Sequence, residues 1–177
     1  ESVVLALTGY SSHQGKVTAR LYADKVDPDL AVIYYGWNDH WLAYGAIDSA
    51  QVVRDNRLRL FSYGFYQKVR LLQAFRKGYH FIISADKPLD QVRVQEQEYR
   101  QNLVDMALLF QKKGVPVLFV TAPTAHYQLG VPDYLIEKNF VKDKQTAVAL
   151  HQQYNQIVRE VAENTSSVLV DLEKEFN

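Results

Sequence analysis

The chain has 177 residues, 47% hydrophobic and 23% charged, with 20 basic side chains against 20 acidic ones and no cysteine. Such proportions suit one globular domain with enough apolar material for a core, and the charge balance provides no field to recruit nucleic acid or an anionic membrane. The lack of cysteine excludes disulfides, thiol nucleophiles and cysteine-bound metal, and leaves cytoplasm and periplasm equally open.

Apolar runs and amphipathic stretches alternate along the chain, which predicts an α/β domain with a parallel sheet. Ser2 to Thr8 reads as a strand and Gln14 to Lys25 as a helix with Val17 and Leu21 facing inward, joined by Ala23 or Val26. Asp27-Pro28-Asp29 stops that helix, because proline cannot continue one and disfavours helix in the residue before it. Leu30 to Tyr35 is the next strand. Residues 44–92 read as a helical insertion rich in aromatics, among them Phe61, Phe65, Tyr66 and Phe75. Packing accounts for these rings, with an acyl-binding wall or lid as the alternative. Gln95 to Lys113 carries the clearest helical stripe, Tyr99, Leu103, Met106, Ala107 and Phe110, and Gly114 follows as a left-handed cap. Then come a strand at Pro116 to Thr121, a short helix at Asp133 to Lys138, a long one from Asp143 to Asn164, and a last strand at Ser167 to Asp171. No stretch reaches the ~20 apolar residues of a membrane span, and no signal peptide is visible.

Two turns carry the chemistry. Gly36-Trp37-Asn38-Asp39 stands directly behind the apolar run Leu30 to Tyr35, and Thr8-Gly9-Tyr10-Ser11-Ser12-His13 stands behind Val3 to Leu7. Open α/β sheets build their sites at the carboxyl ends of their strands, and an amide there can donate to an oxyanion. These turns, with the segments Arg93 to Leu103, Val117 to Pro123 and Tyr154 to Asp171, resemble the SGNH/GDSL hydrolase family, whose blocks include Gly-X-Asn-Asp. The resemblance implies a three-layer, flavodoxin-like sandwich with strand order 2-1-3-4-5 and acyl transfer through a Ser-His-Asp triad, on a small acyl or carbohydrate ester and without a cofactor. An O-acyltransferase of the same fold and a noncatalytic ligand-binding module are the alternatives.

Matched onto this sequence, the family's oxyanion donors are the backbone N–H of Gly9 and the side-chain amide of Asn38. Glycine suits position 9 because a substrate oxygen has to approach the backbone with no Cβ in its way. Tyr10, Trp37, His40, Thr121 and Pro123 are candidates for contact with the substrate. Many relatives place an Asn and a second Gly just before the first block, whereas this chain has Leu5-Ala6-Leu7-Thr8. Neither the family's Gly-Asp-Ser nor its Asp-X-X-His occurs in the sequence. The sequence therefore reads as the central part of a domain, with its first strand and carboxyl-terminal segment outside these residues; the slot between Ser2–Thr8 and Leu30–Tyr35 would be filled by a strand from elsewhere, and any membrane attachment would come from such a segment.

Other side chains invite blander readings. Asp39 holds its own turn by accepting backbone N–H groups, and Ser11 and Ser12 cap the helix that follows. His13 and His40 lie beside the site with no acid spaced to orient them. His80, His126 and His151 lack the spacing of metal ligands, so no metal site is expected. Asp171 ends a strand.

Overall fold

A computed structural model describes residues 2–50 and 88–176 of the chain. Helix α1 (Ser12–Val26) is followed by β1 (Ala31–Ile33), β2 (Leu42–Tyr44), a 3₁₀ turn at Asp48–Ala50 and β3 (Pro88–Val92). Then come α2 (Glu96–Gln111), β4 (Val117–Val120), the short helices α3 (His126–Leu129) and α4 (Asp133–Glu137), α5 (Lys144–Asn164), β5 (Val168–Val170) and α6 (Leu172–Phe176). The fold is α/β. Strands β1, β4 and β5 form a parallel sheet in that order, with Ile33 opposite Phe119 and Phe119 opposite Leu169.

Alternation along a strand sends successive side chains to opposite faces, and the two faces of this sheet differ. Ala31, Ile33, Val117 and Phe119 point into a core completed by Ala19 and Ala23 of α1, the predicted stripe of α2, and Tyr154, Ile157, Val158 and Val161 of α5. On the opposite face Val32 is 58% exposed, against 3% for its neighbour Ile33, and Leu30, Tyr34, Val168 and Val170 are exposed with it. Helices α1, α2 and α5 thus share one face.

Helix α1 presents its small residues, not its large ones. Gly15, Ala19 and Ala23, spaced by four, are buried, while Val17 and Leu21 are exposed. A Cβ on Gly15 would stand 2.2 Å from the Tyr35 hydroxyl oxygen, so glycine is what lets that ring lie against the helix. The expected inward placement of Val17 and Leu21 is corrected accordingly: close approach to Tyr35 and α2 selects the narrow stripe.

Ser2 to Thr8, expected as a strand, has no ladder partner among the described residues. It runs along an apolar groove of about 460 Å³ whose opposite wall is Leu30 to Tyr35. A strand needs a neighbour for its N–H and C=O groups, and across that groove none is in reach. Residues 88–92, expected within a helical insertion, form instead an antiparallel ribbon with β2, Leu42 opposite Val92 and Tyr44 opposite Pro88. The aromatics expected to pack within that insertion, from Phe61 to Phe81, lie outside the described residues.

Candidate active site

The turn after β1 is organised by Asp39, which is fully buried. Its Oδ2 accepts the N–H of Gly36 at 3.1 Å and its Oδ1 accepts the N–H of Ser12 at 2.8 Å, so one carboxylate ties this turn to the start of α1. The Asp39 backbone N–H returns to the Gly36 carbonyl at 3.1 Å. Gly36 has φ 139°, and a Cβ there would meet the Tyr99 hydroxyl oxygen at 3.3 Å, so both conformation and space call for glycine. Burial raises the Asp39 pKa to about 6, with hydrogen bonds from Ser12 and Gly36 and the charge of Arg93 acting in the opposite direction.

A second layer of polar bonds secures the Gly9 turn. Tyr10 N–H closes it on the Leu7 carbonyl at 3.0 Å, and Arg93 Nη1 donates to the Gly9 carbonyl at 3.0 Å. Arg93 Nη2 also pairs with the buried Asp48 at 2.9 Å, and Asp48 in turn accepts the Ser11 hydroxyl at 2.6 Å. Ser11 is the N-cap of α1, with the Gln14 side chain reaching back to its N–H at 2.7 Å. Ser12 lies one residue inside, its hydroxyl accepting from the buried Asn102 at 3.0 Å.

Asn38 and Gly9 come together. The Asn38 amide donates to the Tyr10 carbonyl at 3.0 Å, and Gly9, Tyr10, Trp37 and Asn38 line one depression of about 280 Å³ between the two turns. Gly9 has φ 91° and open space around the position of a Cβ. The positive φ alone calls for glycine there, and no described protein atom crowds the position.

The other sequence-derived candidates lie elsewhere. Thr121 is fully buried, its hydroxyl donating to Asp171 at 2.8 Å and accepting the Glu173 N–H at 3.0 Å. Thr121 and Pro123 do not line the depression. A hydroxyl at a strand end can be consumed by its neighbours, as this one is. Asp171, just past β5, is gripped by Arg159 through two bonds of 2.8 and 2.9 Å, which holds its pKa down at about 2. His40 is 2% exposed and does not line the depression, its Nε2 3.1 Å from Nδ1 of His151. Burial lowers its pKa to about 3, and the neighbouring His151 adds to the effect. His13 pairs with Glu98 at 3.1 Å between α1 and α2. Among the described residues no group of three or more His, Asp or Glu side chains is placed to hold a metal ion, and His80 lies outside them.

Sequence reasoning did not single out Arg93, Asp48, Asn102 or His151 for the site. Their partners are 45, 37, 90 and 111 residues away along the chain, and no local pattern encodes contacts of that span.

Polar turns gathered beside the carboxyl end of a parallel strand and tied by buried carboxylates are the arrangement in which open α/β domains build their sites. The family model of the GDSL-like lipase/acylhydrolase family matches residues 1–177, and the chain belongs to that family, one of hydrolases of the SGNH type. No curated protein and no solved structure matches it.

Proposed function

We propose that the depression between the Gly9 and Asn38 turns is the oxyanion side of a serine esterase site acting on a small acyl or carbohydrate ester, with the nucleophile and acid–base pair those of the family's Gly-Asp-Ser and Asp-X-X-His blocks. One observation carries the reading. The Asn38 amide is pinned by the Tyr10 carbonyl through one of its two N–H groups, at the wall of a depression that Gly9 shares. An amide so held keeps its second N–H as a preorganised donor, and the Gly9 N–H has no acceptor among the described residues. Donors fixed before reaction stabilise the charge that develops on the carbonyl oxygen without having to reorganise.

Hydrolysis of a short-chain p-nitrophenyl ester by the polypeptide that carries the Gly-Asp-Ser block tests this. Asn38→Ala is expected to lower kcat by ~10²–10³ while KM changes little, because the lost bond strengthens in the transition state. A loss of about tenfold or less, on the same scale, would reduce Asn38 to a turn residue. The 177-residue chain alone is expected to show little hydrolysis; activity equal to the longer polypeptide would require a nucleophile within these residues and would refute the assignment.

A further inference from the structure

Beneath the Asn38 turn lies a polar chain that the oxyanion reading does not use. His151, on α5, approaches the Ala122 carbonyl with Nε2 at 2.8 Å. The Asn155 amide nitrogen lies 3.2 Å from the same Nε2, but a bare Nε2 would set its lone pair against the carbonyl oxygen at the shorter distance; a carbonyl only accepts, so this nitrogen carries the proton and Nδ1 is left as a lone pair. His40 Nε2, 3.1 Å from that lone pair, is then the donor. Direction is thus imposed from one end of the chain to the other: His40 donates to His151, and His151 donates to the peptide that follows β4. His40 Nδ1 is consequently a bare acceptor, and it is buried without a partner among the described residues.

Asn155, one turn further along α5, grips the same peptide. Its Oδ1 accepts the Ala122 N–H at 2.8 Å and its Nδ2 donates to the Ala122 carbonyl at 2.9 Å. The Ala122 peptide is therefore a fixed anchor. Onto this support the turn lays the residue next to Asn38: the Trp37 ring sits 4.3 Å from the His151 ring, with His40 at 5.6 Å and His126 edge-on at 5.3 Å.

We infer that His151 is a positioning residue for Asn38, holding Trp37 through ring contact and His40 through the directed hydrogen bond, and so setting where the amide between them stands. The catalytic consequence rests on the oxyanion reading above; the positional one does not. The arrangement works only with both rings neutral. A second proton on His151 would set N–H against N–H, and the link could re-form only in reverse, with His40 moving its own proton to Nδ1. The groups facing the pair are His126 from α3, Glu173 from α6 and Tyr154 from α5. Burial lowers the pKa of both rings, which keeps them neutral through the ordinary range.

The test uses His151→Phe, which keeps a ring under Trp37 and removes the acceptor, with His151→Asn, whose side-chain carbonyl can accept from His40, as the conservative partner. Nitrogen NMR of the unaltered chain should show both imidazoles neutral and protonated at Nε2; His40 protonated at Nδ1, or a charged ring at pH 7, would overturn the proposal. In folded His151→Phe the Asn38 side-chain amide resonances should move and its protons exchange faster, with partial return in His151→Asn. Unmoved amide resonances would also overturn it. In the ester assay His151→Phe should lower kcat about ten- to a hundredfold with little change in KM, and Asn38→Ala should cost less in that background than in the unaltered protein. An unaltered protein without esterase activity would defeat the functional reading while the NMR outcomes still decide the positional one. Should His151→Phe fail to fold, the tautomers of the unaltered chain and the amide of His151→Asn decide it.

Discussion

Two carboxylates close turns beyond parallel strands of this sheet, and they are held in opposite ways. Asp39 is sealed from solvent and bonded by the backbone N–H groups of Ser12 and Gly36; Asp171 is half-buried and gripped by the guanidinium of Arg159. Burial pushes the first up to about 6, and the cation pulls the second down to about 2. The comparison separates two means of fixing a loop. Peptide dipoles give Asp39 geometry without a full counter-charge in contact, whereas a fork of donors gives Asp171 both charge and direction. The turn that carries Asn38 uses the first kind, so its rigidity depends on an acid that is near its titration range.

The largest effect is expected from Asp39→Ala. It leaves the buried N–H groups of Ser12 and Gly36 without acceptors, each costing about 1–3 kcal/mol, and urea unfolding should register the sum. Asp39→Asn should cost nearly as much, because its amide must turn an N–H₂ toward one of two N–H donors. An Asn variant as stable as the original would mean that one of the two bonds contributes nothing. Arg159→Met removes three bonds, two to Asp171 and one to Glu173, but it orphans no buried backbone donor and solvent screens these partly exposed charges; it is expected to cost less, and should return the Asp171 carboxyl toward its ordinary range by carbon NMR. A loss there as large as for Asp39→Ala would erase the distinction between the two acids.

The smallest signal is the dependence of these differences on pH, and its sign differs between the two. The folded pKa of Asp39 is raised, so its contribution is full below the unfolded value of about 3.9 and is lost as pH rises through about 6. The stability advantage of the original over Asp39→Ala should shrink as pH climbs from about 4 to about 7. For Asp171 the folded pKa is depressed, and its contribution is full above about 3.9 and lost as pH falls toward about 2. The advantage over Arg159→Met should therefore shrink on acidification. Parallel curves for the two variants would refute the opposed shifts.

Sequence by itself determined the elements whose pattern is local. The stripe from Tyr99 to Phe110 specified α2, and Gly114 at φ 73° stands just past its end, because period and cap are written in consecutive residues. The runs at Leu30 to Tyr35 and Pro116 to Thr121 were legible as strands for the same reason, although the first is buried on one face only, with Leu30, Val32 and Tyr34 exposed, and Gly-Trp-Asn-Asp was legible as a polar turn at a strand end. Tertiary structure alone decided which face of α1 is inward, since Val17 and Leu21 advertise a stripe that close packing on Gly15, Ala19 and Ala23 overrules. It also decided that Ser2 to Thr8 has no ladder among the described residues: an apolar run states a preference for burial, but strand formation requires a hydrogen-bonding neighbour at the right distance. The candidate site divides along the same line. Gly9, Tyr10, Trp37 and Asn38 could be named from two short motifs, whereas the bonds around them, from Arg93 to Gly9 and from His40 to His151, join residues 84 and 111 positions apart. Such contacts exist only once the sheet and its helices have packed, because a donor and an acceptor that far apart in sequence have no geometry until the chain between them has folded.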